Sequence, residues 1–318
     1  MSNDILVVAE VFDGKVSDIS YEMTGKAKEL AGVLGGKVIV AIMGSGISGL
    51  AATFASDSTV YVDDPGLAEF NPEAYGKVVE ALVAEKAPKV TLFGYTSIGM
   101  DLAAWLSAKT GSPCIAFVND INAAGGAVSA SSRVYGGKLA AEVSVGEGSC
   151  IMTVLAGAFP ADAGRGSTAA EQVASPVDLG SLAIKFVKLI KPAGGDVDIT
   201  SVDKLVAIGR GIGSEDGIEL AQELAEALEA EVAASRPITD AGWLPKTRQV
   251  GKSGLSVKPK LYLMMGISGA PEHLEGMKDA ELIIAINTDA NAPIFDVAHY
   301  GATADLYEVA EEMLELLD

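Results

Sequence analysis

The sequence has few of the residues that build metal centres and disulfide frameworks. Two cysteines and two histidines occur among its 318 residues. Cys114 and Cys150 belong to no CxxC pair and lie in apolar stretches, so we expect two buried free thiols in a reducing cytoplasm. His273 and His299 are too few for a His-rich metal site. We therefore expect neither a disulfide scaffold nor a metal site.

Basic residues and long apolar runs are also scarce. Lys and Arg together number 23, Asp and Glu number 43, and the formal net charge is −20. Such a chain repels phosphate backbones, so we expect no nucleic-acid partner, whereas a basic patch on a protein partner would attract it. No apolar run approaches the ~20 residues of a membrane span. The start, MSNDILVVAEVFDG, lacks the basic and apolar regions of a signal peptide, so we expect a protein of the prokaryotic cytoplasm.

The order of apolar and polar runs predicts an α/β fold. In the first half, strand-like runs alternate with amphipathic helical runs, which is typical of parallel βαβ units. The expected strands are Asp4–Glu10, Lys37–Met43, Thr59–Val62, Lys89–Phe93 and Cys114–Val118, and the expected helices are Ile19–Leu34, Pro72–Glu85 and a run that stops at Gly111. Glycine-punctuated runs follow at Gly126–Ala130, Arg133–Val134, Lys138–Val143 and Cys150–Leu155, and they predict a small antiparallel section.

A change of composition predicts a domain boundary. Lys191–Val202 reads KPAGGDVDITSV, which is typical of a linker, and we expect it to act as a hinge. Before it, Ile184–Ile190 alternates like an edge strand. We therefore expect domains over residues 1–190 and 203–318, each with a largely parallel sheet flanked by helices. The second domain should contain the helices Glu215–Leu228, with Ser214 as its N-cap, and Asp305–Asp318.

A glycine loop in the first domain admits two interpretations. The segment Gly44–Gly49 reads GSGISG after a predicted strand, and it matches the GxGxxG pattern of dinucleotide-binding loops, with Asp63 downstream. However, no strand ending in an acidic residue follows at the usual distance. We therefore favour a tight strand-to-helix turn and keep dinucleotide binding as the alternative.

Polar groups follow three strand-like runs of the second domain. These runs are Lys204–Ile208, Leu261–Met265 and Leu282–Ile286, and they are followed by Gly209–Ser214, Gly266–Ala270 and Asn287–Asp289. Parallel strands end at one edge of a sheet, so these loops should form one ligand site. Arg210 can bond a phosphate through its guanidinium, and the backbone N–H groups of the GISGA loop can hold a diphosphate. The residue types suit an elongated, phosphate-bearing, aromatic ligand.

These segments form an ordered set of motifs, which resembles the FAD-binding domain of the electron-transfer flavoprotein alpha subunit. The matching motifs are GRG at Gly209–Gly211, SRP at Ser235–Pro237, DAGW at Asp240–Trp243, QVGKSG at Gln249–Gly254, KPKLY at Lys258–Tyr262, GISGAPEH at Gly266–His273, AIN at Ala285–Asn287 and APIF at Ala292–Phe295. The first domain resembles the same family more loosely, through VVAEVFDGK and GYTSIGMDLAAWLSAKTG.

The resemblance implies a non-covalently bound FAD whose isoalloxazine lies in a cleft shared with a beta subunit. It implies that Arg236 lies against the ring, that Ser253 offers its hydroxyl near N5, and that His273 contacts the C2 carbonyl. The implied redox-tuning residues are Arg236, Ser253, His273 and Lys252, and no residue is assigned to bond-making catalysis. The implied cofactor-binding residues are Arg210, Gly211, Ser235, Arg236, Gln249, Val250, Gly251, Ser253, Gly254, Gly266, Ile267, Ser268, Gly269, Ala270, His273, Asn287, Asp289 and Asp305.

The resemblance leaves the subtype open. One kind of electron-transfer flavoprotein carries electrons from dehydrogenases to a quinone-linked acceptor, with AMP in its beta subunit. The other kind bifurcates electrons from NADH, has a second FAD in its beta subunit and uses ferredoxin-type partners. A non-redox nucleotide-binding regulatory subunit is the alternative of another class. Two departures from the family pattern bear on the site: Lys252 replaces a frequent Gln, and His299 replaces Asp in VAHYG.

Overall fold

The computed structural model describes residues 2–135, 137–146, 148–188 and 197–317. The chain forms two compact units, Met1–Lys188 and Leu189–Asp318, called here the N-terminal and C-terminal units. Each contains a parallel sheet flanked by helices, and the predicted α/β class is confirmed. Half of the predicted linker, residues 191–196, lies outside the described residues. The linker therefore stays a prediction.

The N-terminal unit contains a nine-stranded sheet and a short hairpin. In chain order its elements are β1 (Ile5–Ala9), β2 (Val11–Phe12), β3 (Lys15–Val16), α1 (Asp18–Leu34), β4 (Val38–Gly44), α2 (Ser48–Ala51), β5 (Ser58–Asp63), α3 (Pro72–Lys86), β6 (Val90–Gly94), α4 (Ser97–Thr110), β7 (Cys114–Ala124), β8 (Ala127–Val134), β9 (Leu139–Val145), β10 (Cys150–Val154) and β11 (Ala170–Val173). The strand order is β11-β5-β4-β1-β6-β10-β7-β8-β9, and β2 pairs with β3.

The predicted helices and central strands of this unit are confirmed because their local signals agree with their packing. Asn71 caps α3 by accepting hydrogen bonds from two backbone amides, and Thr96 caps α4 in the same way with one. Gly111 ends α4 with a φ of 71°. Strands β1 and β4 are buried along their whole length, between two apolar layers on the opposite faces of the sheet.

The antiparallel section is smaller than predicted. Strands β7, β8 and β9 are antiparallel, as expected. The prediction was wrong for the Cys150–Leu155 run, because β10 lies between β6 and β7 and is parallel to both. Its five residues are all buried, as in a central strand covered on both faces. In contrast, β9 alternates between exposed and partly buried positions at the sheet edge.

The predicted edge strand at Ile184–Ile190 is also wrong over residues 184–188, which form no strand. At the start of this segment, the backbone of Ala183 and Ile184 bonds to the side chains of Asn71, the N-cap of α3, and of Glu73 in its first turn. The Glu73 carboxylate accepts hydrogen bonds from the Ala183 and Ile184 amides at 2.7 and 2.9 Å. The Asn71 amide donates to the Ile184 carbonyl at 2.8 Å. Residues 189 and 190 lie outside the described part.

The glycine loop after β4 bonds to a carboxylate of its own chain. The amides of Gly46 and Ile47 donate to the two Asp63 oxygens at 2.8 and 3.2 Å. A bound dinucleotide would require such amides for its phosphates. The geometry therefore favours the tight-turn interpretation.

This sheet reverses its winding direction between β1 and β6. Parallel α/β sheets usually bind ligands at such a reversal, but here a buried carboxyl group closes it. Glu10 follows β1 and accepts a hydrogen bond from Thr96 Oγ1 at 2.8 Å. The added Cβ of an alanine at Gly94 or Gly99 would lie 3.0 Å from Glu10 Oε1. Burial raises the pKa of Glu10 to about 7.

The two cysteines differ from the expectation of two buried thiols. Cys150 is buried, and burial raises the pKa of its thiol to about 12. Cys114, at the first position of β7, is exposed. Both are free, as expected, and no group of residues in the described ranges is suited to bind a metal ion.

The C-terminal unit has a five-stranded, all-parallel sheet. Its elements are β12 (Lys204–Ile208), α5 (Gly217–Ala227), β13 (Glu231–Ala234), α6 (Arg236–Asp240), β14 (Leu261–Met265), α7 (Pro271–Leu274), β15 (Leu282–Ile286), β16 (Tyr300–Ala302) and α8 (Leu306–Leu317). The strand order is β13-β12-β14-β15-β16. Among the described helices of both units, none has the length and apolar composition needed to cross a bilayer.

Helix α5 begins later than predicted. It starts at Gly217 and follows Asp216, whereas Ser214 was expected to be its N-cap. The chain reverses first at Gly213, which has a φ of 78°. The Ser214 amide bonds to the Ile212 carbonyl at 2.9 Å, so Ser214 belongs to this turn.

Candidate functional site

A cavity of about 540 Å³ lies at the carboxyl ends of β12 and β14. The chain passes from β12 to β13 on one side and to β14 on the other, so the winding direction of the sheet reverses between β12 and β14. Open parallel sheets bind their ligands at this point, and the volume is within the usual range for small-molecule sites. We call it the switch-point cavity.

The floor of the cavity is formed where two glycine loops touch. The Gly211 amide donates to the Gly266 carbonyl at 3.0 Å. The added Cβ of an alanine at Gly266 would lie 2.7 Å from the Gly211 Cα, and one at Gly211 would lie 2.6 Å from the Gly266 Cα. Only glycine permits this approach, and it gives a ligand access to the backbone.

Cationic groups surround the cavity. Arg210 is exposed and forms no ion pair within the described ranges. The Arg236 guanidinium is 3.0 Å from the Asp240 carboxylate, one helical turn further along α6. Lys252 lies 3.9 Å from Glu275. These three cations suit an anionic ligand, although carboxylates pair with two of them.

A chain of hydrogen bonds runs along one wall of the cavity. Thr239 Oγ1 donates to Gln249 Oε1 at 2.6 Å, and Gln249 Nε2 donates to Ser253 Oγ at 3.0 Å. The side chains of Thr239 and Gln249 are buried, whereas Ser253 is exposed and lines the cavity. The chain thus connects the protein interior with the ligand space.

His273 lines the cavity as a neutral imidazole. Its Nδ1 is 3.1 Å from the Val250 carbonyl, and its Nε2 is 3.2 Å from the Tyr262 hydroxyl. A carbonyl only accepts, so Nδ1 carries the proton and Nε2 accepts from Tyr262. Burial lowers the pKa of His273 to about 4, opposed in part by the hydrogen bond to Val250. The positive charge at the site therefore comes from arginine and lysine.

The cavity brings together most of the residues expected to bind the cofactor. Those that line it are Arg210, Gly211, Ser235, Arg236, Gln249, Val250, Gly251, Lys252, Ser253, Gly266, Ile267, Ser268, Ala270, His273 and Asn287. Four others do not line it and serve the local structure. Gly254 packs on the Gln249 backbone, Gly269 packs on Ile294, Asp289 accepts a bond from Asn291, and Asp305 accepts a bond from Tyr307 at the start of α8.

Several residues of the site were absent from the predicted set. Pro237, Asp240 and Glu272 line the cavity, and Thr239 and Tyr262 bond to lining residues from behind. Asp240 could have been found, because it follows Arg236 by four residues in a helical segment. Tyr262 is a fully buried strand residue, and nothing in its sequence position indicates where its hydroxyl points.

A second groove in the same unit is larger but differs in charge. It has a volume of about 720 Å³ and lies near the amino end of β12. Asp203, Glu226, Glu229 and Glu231 line it, and its cations bond to groups nearby. Carboxylates repel phosphate, so the switch-point cavity is the better candidate for a phosphate-bearing ligand.

Comparison with known proteins identifies the class of this site. The sequence model of the electron transfer flavoprotein FAD-binding domain matches residues 198–278, and that of the electron transfer flavoprotein domain matches residues 5–178. The fold and these matches define a flavoprotein with a C-terminal FAD-binding domain.

Full-length relatives identify the subunit. The chain is 37% identical over 315 residues to the electron transfer flavoprotein subunit alpha of Methylophilus methylotrophus, covering 97% of each chain. It is 34% identical to that of Thermoanaerobacterium thermosaccharolyticum, covering 98% of this chain and 97% of the relative. It is 33% identical to the lactate dehydrogenase (NAD(+),ferredoxin) subunit LctC of Acetobacterium woodii, covering 99% of this chain and 77% of the relative. The chain belongs to the electron transfer flavoprotein family, among its alpha subunits, and its cofactor is FAD.

The residues of the switch-point cavity fit FAD. A diphosphate needs cations and hydrogen-bond donors close to the backbone, and Arg210, Ser268 and the two glycine loops supply them. A flat aromatic ring needs apolar contacts, which Val250, Ile267 and Pro237 offer from the cavity wall.

Proposed function

We propose that this alpha subunit carries electrons on one FAD held in the switch-point cavity and that it works as a heterodimer with a beta subunit. The observation that supports this most directly is the contact between Gly211 and Gly266 at the winding reversal of the sheet. It creates a backbone-lined floor beside Arg210, where an anionic group can bind.

Each wall of the cavity has a separate task in this proposal. Arg210, Ser268 and the glycine loops bind the diphosphate, and Asn287 bonds on the adenosine side. Arg236, Lys252 and Ser253 lie along the isoalloxazine, and His273 contacts it as a neutral ring. The bound FAD supplies reversible uptake of one or two electrons.

The cations set the electrostatic environment of the reaction. Reduction adds negative charge to the flavin, so fixed positive charge nearby favours the reduced state. Asp240 holds the Arg236 guanidinium at 3.0 Å and limits its orientation. The Lys252 ammonium lies 3.9 Å from the Glu275 carboxylate, and the Lys252 side chain is 53% exposed. We assign the redox tuning to Arg236 and Lys252 together, since both line the cavity.

The remaining assignments follow from the same family. We propose dehydrogenases and quinone-linked or ferredoxin-type proteins as redox partners, in a prokaryotic cytoplasm, because the relatives compared above are bacterial. We also propose that residues 1–190 contact the beta subunit, that 191–202 act as a hinge, and that 203–318 form the FAD-binding domain.

The experiment is cofactor analysis of the heterodimer, co-expressed with its beta subunit. We expect an absorption spectrum with flavin bands and one FAD per cavity. Arg210→Ala should lower the FAD content, whereas Lys260→Ala should not, because Lys260 is bound to Asp203 at 2.8 Å and does not line the cavity. A complex that releases nucleotides but no flavin would indicate the non-redox regulatory subunit instead.

A second candidate is the bifurcating subtype. The observation that favours it is the 33% identity to the subunit LctC, whose enzyme is named for NAD(+) and ferredoxin. A bifurcating heterodimer should release two FAD molecules and be reduced by NADH. A non-bifurcating one should release one FAD and one AMP.

A further inference from the structure

We propose that Thr239 is a positioning residue of the FAD site, which acts through Gln249 to make the Ser253 hydroxyl a hydrogen-bond donor toward the cofactor. This inference rests on the proposed function of the switch-point cavity. Thr239 itself does not line the cavity, and its effect passes along two hydrogen bonds through Gln249 to Ser253, both of which line it.

The distances determine the orientation of the Gln249 amide. The contact between Thr239 Oγ1 and Gln249 is 2.6 Å, and that between Gln249 and Ser253 Oγ is 3.0 Å. O–H···O bonds are commonly about 2.5–3.0 Å and N–H···O bonds about 2.7–3.2 Å. The 2.6 Å contact is too short for a usual N–H···O bond, so it joins the Thr239 hydroxyl to the Gln249 oxygen, and this orientation leaves the amide nitrogen to donate to Ser253.

Thr239 Oγ1 also lies 3.0 Å from the Arg236 carbonyl. A threonine hydroxyl has a single hydrogen, so it donates along the shorter contact to Gln249. If the Thr239 hydroxyl donated to the Arg236 carbonyl instead, the Gln249 amide would have to rotate by about 180° and point its nitrogen toward Thr239. That turned amide would accept from Ser253 and direct the serine hydrogen away from the cofactor.

The orientation of the Gln249 amide determines the direction of the Ser253 hydroxyl hydrogen. Its oxygen already accepts a hydrogen bond from Gln249, so its own hydrogen is available to the cavity. Thr239 and Gln249 are 7% and 4% exposed, so water does not compete for this arrangement from the interior. The Thr239 hydroxyl thereby determines whether Ser253 presents a hydrogen or a lone pair to an acceptor atom of FAD.

The test is a double-mutant cycle on the FAD-loaded heterodimer. Thr239→Val keeps the shape of the side chain but removes the hydroxyl, and Ser253→Ala removes the donor. We measure the FAD dissociation constant and the flavin midpoint potential for the unmodified protein, each single variant and the double variant. Each single change should weaken FAD binding by about two- to twelvefold, the range for one neutral hydrogen bond.

The cycle separates a positioning role from a general structural one. Thr239→Val should shift the potential in the same direction as Ser253→Ala and should cause no further shift in the Ser253→Ala background. Thr239→Ser restores the hydroxyl and should restore the unmodified values. Thr239→Ala serves as a second variant without the hydroxyl if the valine form folds poorly, as judged by the thermal unfolding of the FAD-free protein.

Two outcomes overturn the proposal in different ways. Equal potentials and FAD affinities for the unmodified protein and Thr239→Val, or fully additive effects in the double variant, refute the role of Thr239 and leave the FAD site intact. An unmodified heterodimer without flavin refutes the proposed function of the cavity and this inference with it.

Discussion

His273, which the resemblance implies as a redox-tuning residue, is held by its surroundings as a neutral ring. Both ring nitrogens bond to protein atoms, and the Tyr262 hydroxyl donates to Nε2, which accepts only while the ring is neutral. Burial disfavours the imidazolium as well. The ring can contact FAD, but it does so without adding a cation.

The first prediction is that Tyr262→Phe raises the pKa of His273. The change removes the donor that stabilises the neutral ring, so the pKa should move upward from about 4 toward its ordinary value near 6.5. The pH titration of the histidine ring signals by NMR measures it, with His299 as an internal reference. Tyr61→Phe is the control, since that hydroxyl bonds to Gln172 in the N-terminal unit. An unchanged His273 titration would show that Tyr262 has no influence on the ring.

The second prediction concerns Glu10 and pH. The pKa of Glu10 in the folded protein is about 7, above the ordinary 4.5. Between pH 4.5 and pH 7 the folded state therefore holds a proton on Glu10 that the unfolded state has lost. The N-terminal unit should therefore lose stability as the pH rises from about 4.5 to about 7, by on the order of 3 kcal/mol. Glu10→Gln keeps an acceptor for Thr96 and removes the charge, so it should abolish this loss.

The measurement is denaturant unfolding at several pH values, followed by Trp105 fluorescence in a Trp243→Phe background. Trp105 is in the N-terminal unit, so its signal reports on that unit. Glu85→Gln is the control because the Glu85 side chain is 63% exposed. If Glu10→Gln followed the same pH dependence as the unmodified protein, Glu10 would not be the titrating group.

At the scale of elements, the two glycine loops form the cavity floor because they follow adjacent parallel strands. In the paired strands β12 and β14, Lys204 lies opposite Leu261 and Ile208 lies opposite Met265. Both strands therefore end at the same level of the sheet, and so both loops begin there. The chain can then bring Gly211 and Gly266 into contact without distorting either strand. The ligand site is thus a consequence of strand register.

The third prediction compares two glycines of positive φ. Gly266 has a φ of +66° and no room for a Cβ, whereas Gly213 has a φ of +78° and open space around it. Gly213→Ala should cost about 1–2 kcal/mol of stability through backbone strain alone and should keep FAD. Gly266→Ala should cost more and lose FAD, because the loops must separate. Unfolding curves and FAD content measure both effects, and equal FAD retention by the two variants would contradict the contact as the cavity floor.

Elements with strong local signals could be predicted from the sequence, and those set by tertiary pairing could not. The apolar strand-like runs, the amphipathic helical runs between them and the Gly111 stop predicted the α/β order of the N-terminal unit, and the Asn71 and Thr96 caps reinforce the same helices. The apolar run of β10 does not reveal its partners, and its position between β6 and β7 depends on long-range pairing. Residues 184–188 alternate like a strand, but the amide and carbonyl of Ile184 bond to Glu73 and Asn71 side chains rather than to a neighbouring strand.

The candidate site also has parts that could be predicted from the sequence and parts that could not. The loops after β12, β14 and β15 could be predicted to meet, because parallel strands end at one edge. The roles of Thr239 and Tyr262 could not, since each acts from behind a lining residue through one hydroxyl. Whether Asp289 and Asp305 face a ligand also depends on side-chain direction, and both bond to nearby backbone amides.

At the scale of the whole molecule, the same architecture is used differently in the two units. The winding reversal of the N-terminal sheet is filled by Glu10 and Thr96, and the cavity there measures only about 10 Å³. The winding reversal of the C-terminal sheet is open and measures about 540 Å³. The described part of the chain therefore has a single cavity of cofactor size at such a reversal.

The last prediction is that this subunit alone holds FAD weakly and that the beta subunit completes the site. Arg236 and Lys252 have side chains that are 68% and 53% exposed, and Ser253 is exposed as well. A flavin against these residues would keep one side in water, where charge interactions are weak and the cofactor dissociates easily. A partner that covers this rim removes the water and strengthens each contact.

Dialysis provides the measurement. The subunit expressed alone should lose its flavin, whereas the co-expressed heterodimer should retain it at constant stoichiometry through the same dialysis. Because the chain carries a net charge of −20, a partner bound through basic groups should also be released more readily at high salt, which adds an ionic-strength dependence to FAD retention. Full retention of FAD by the isolated subunit at all salt concentrations would show that the C-terminal unit closes the site by itself.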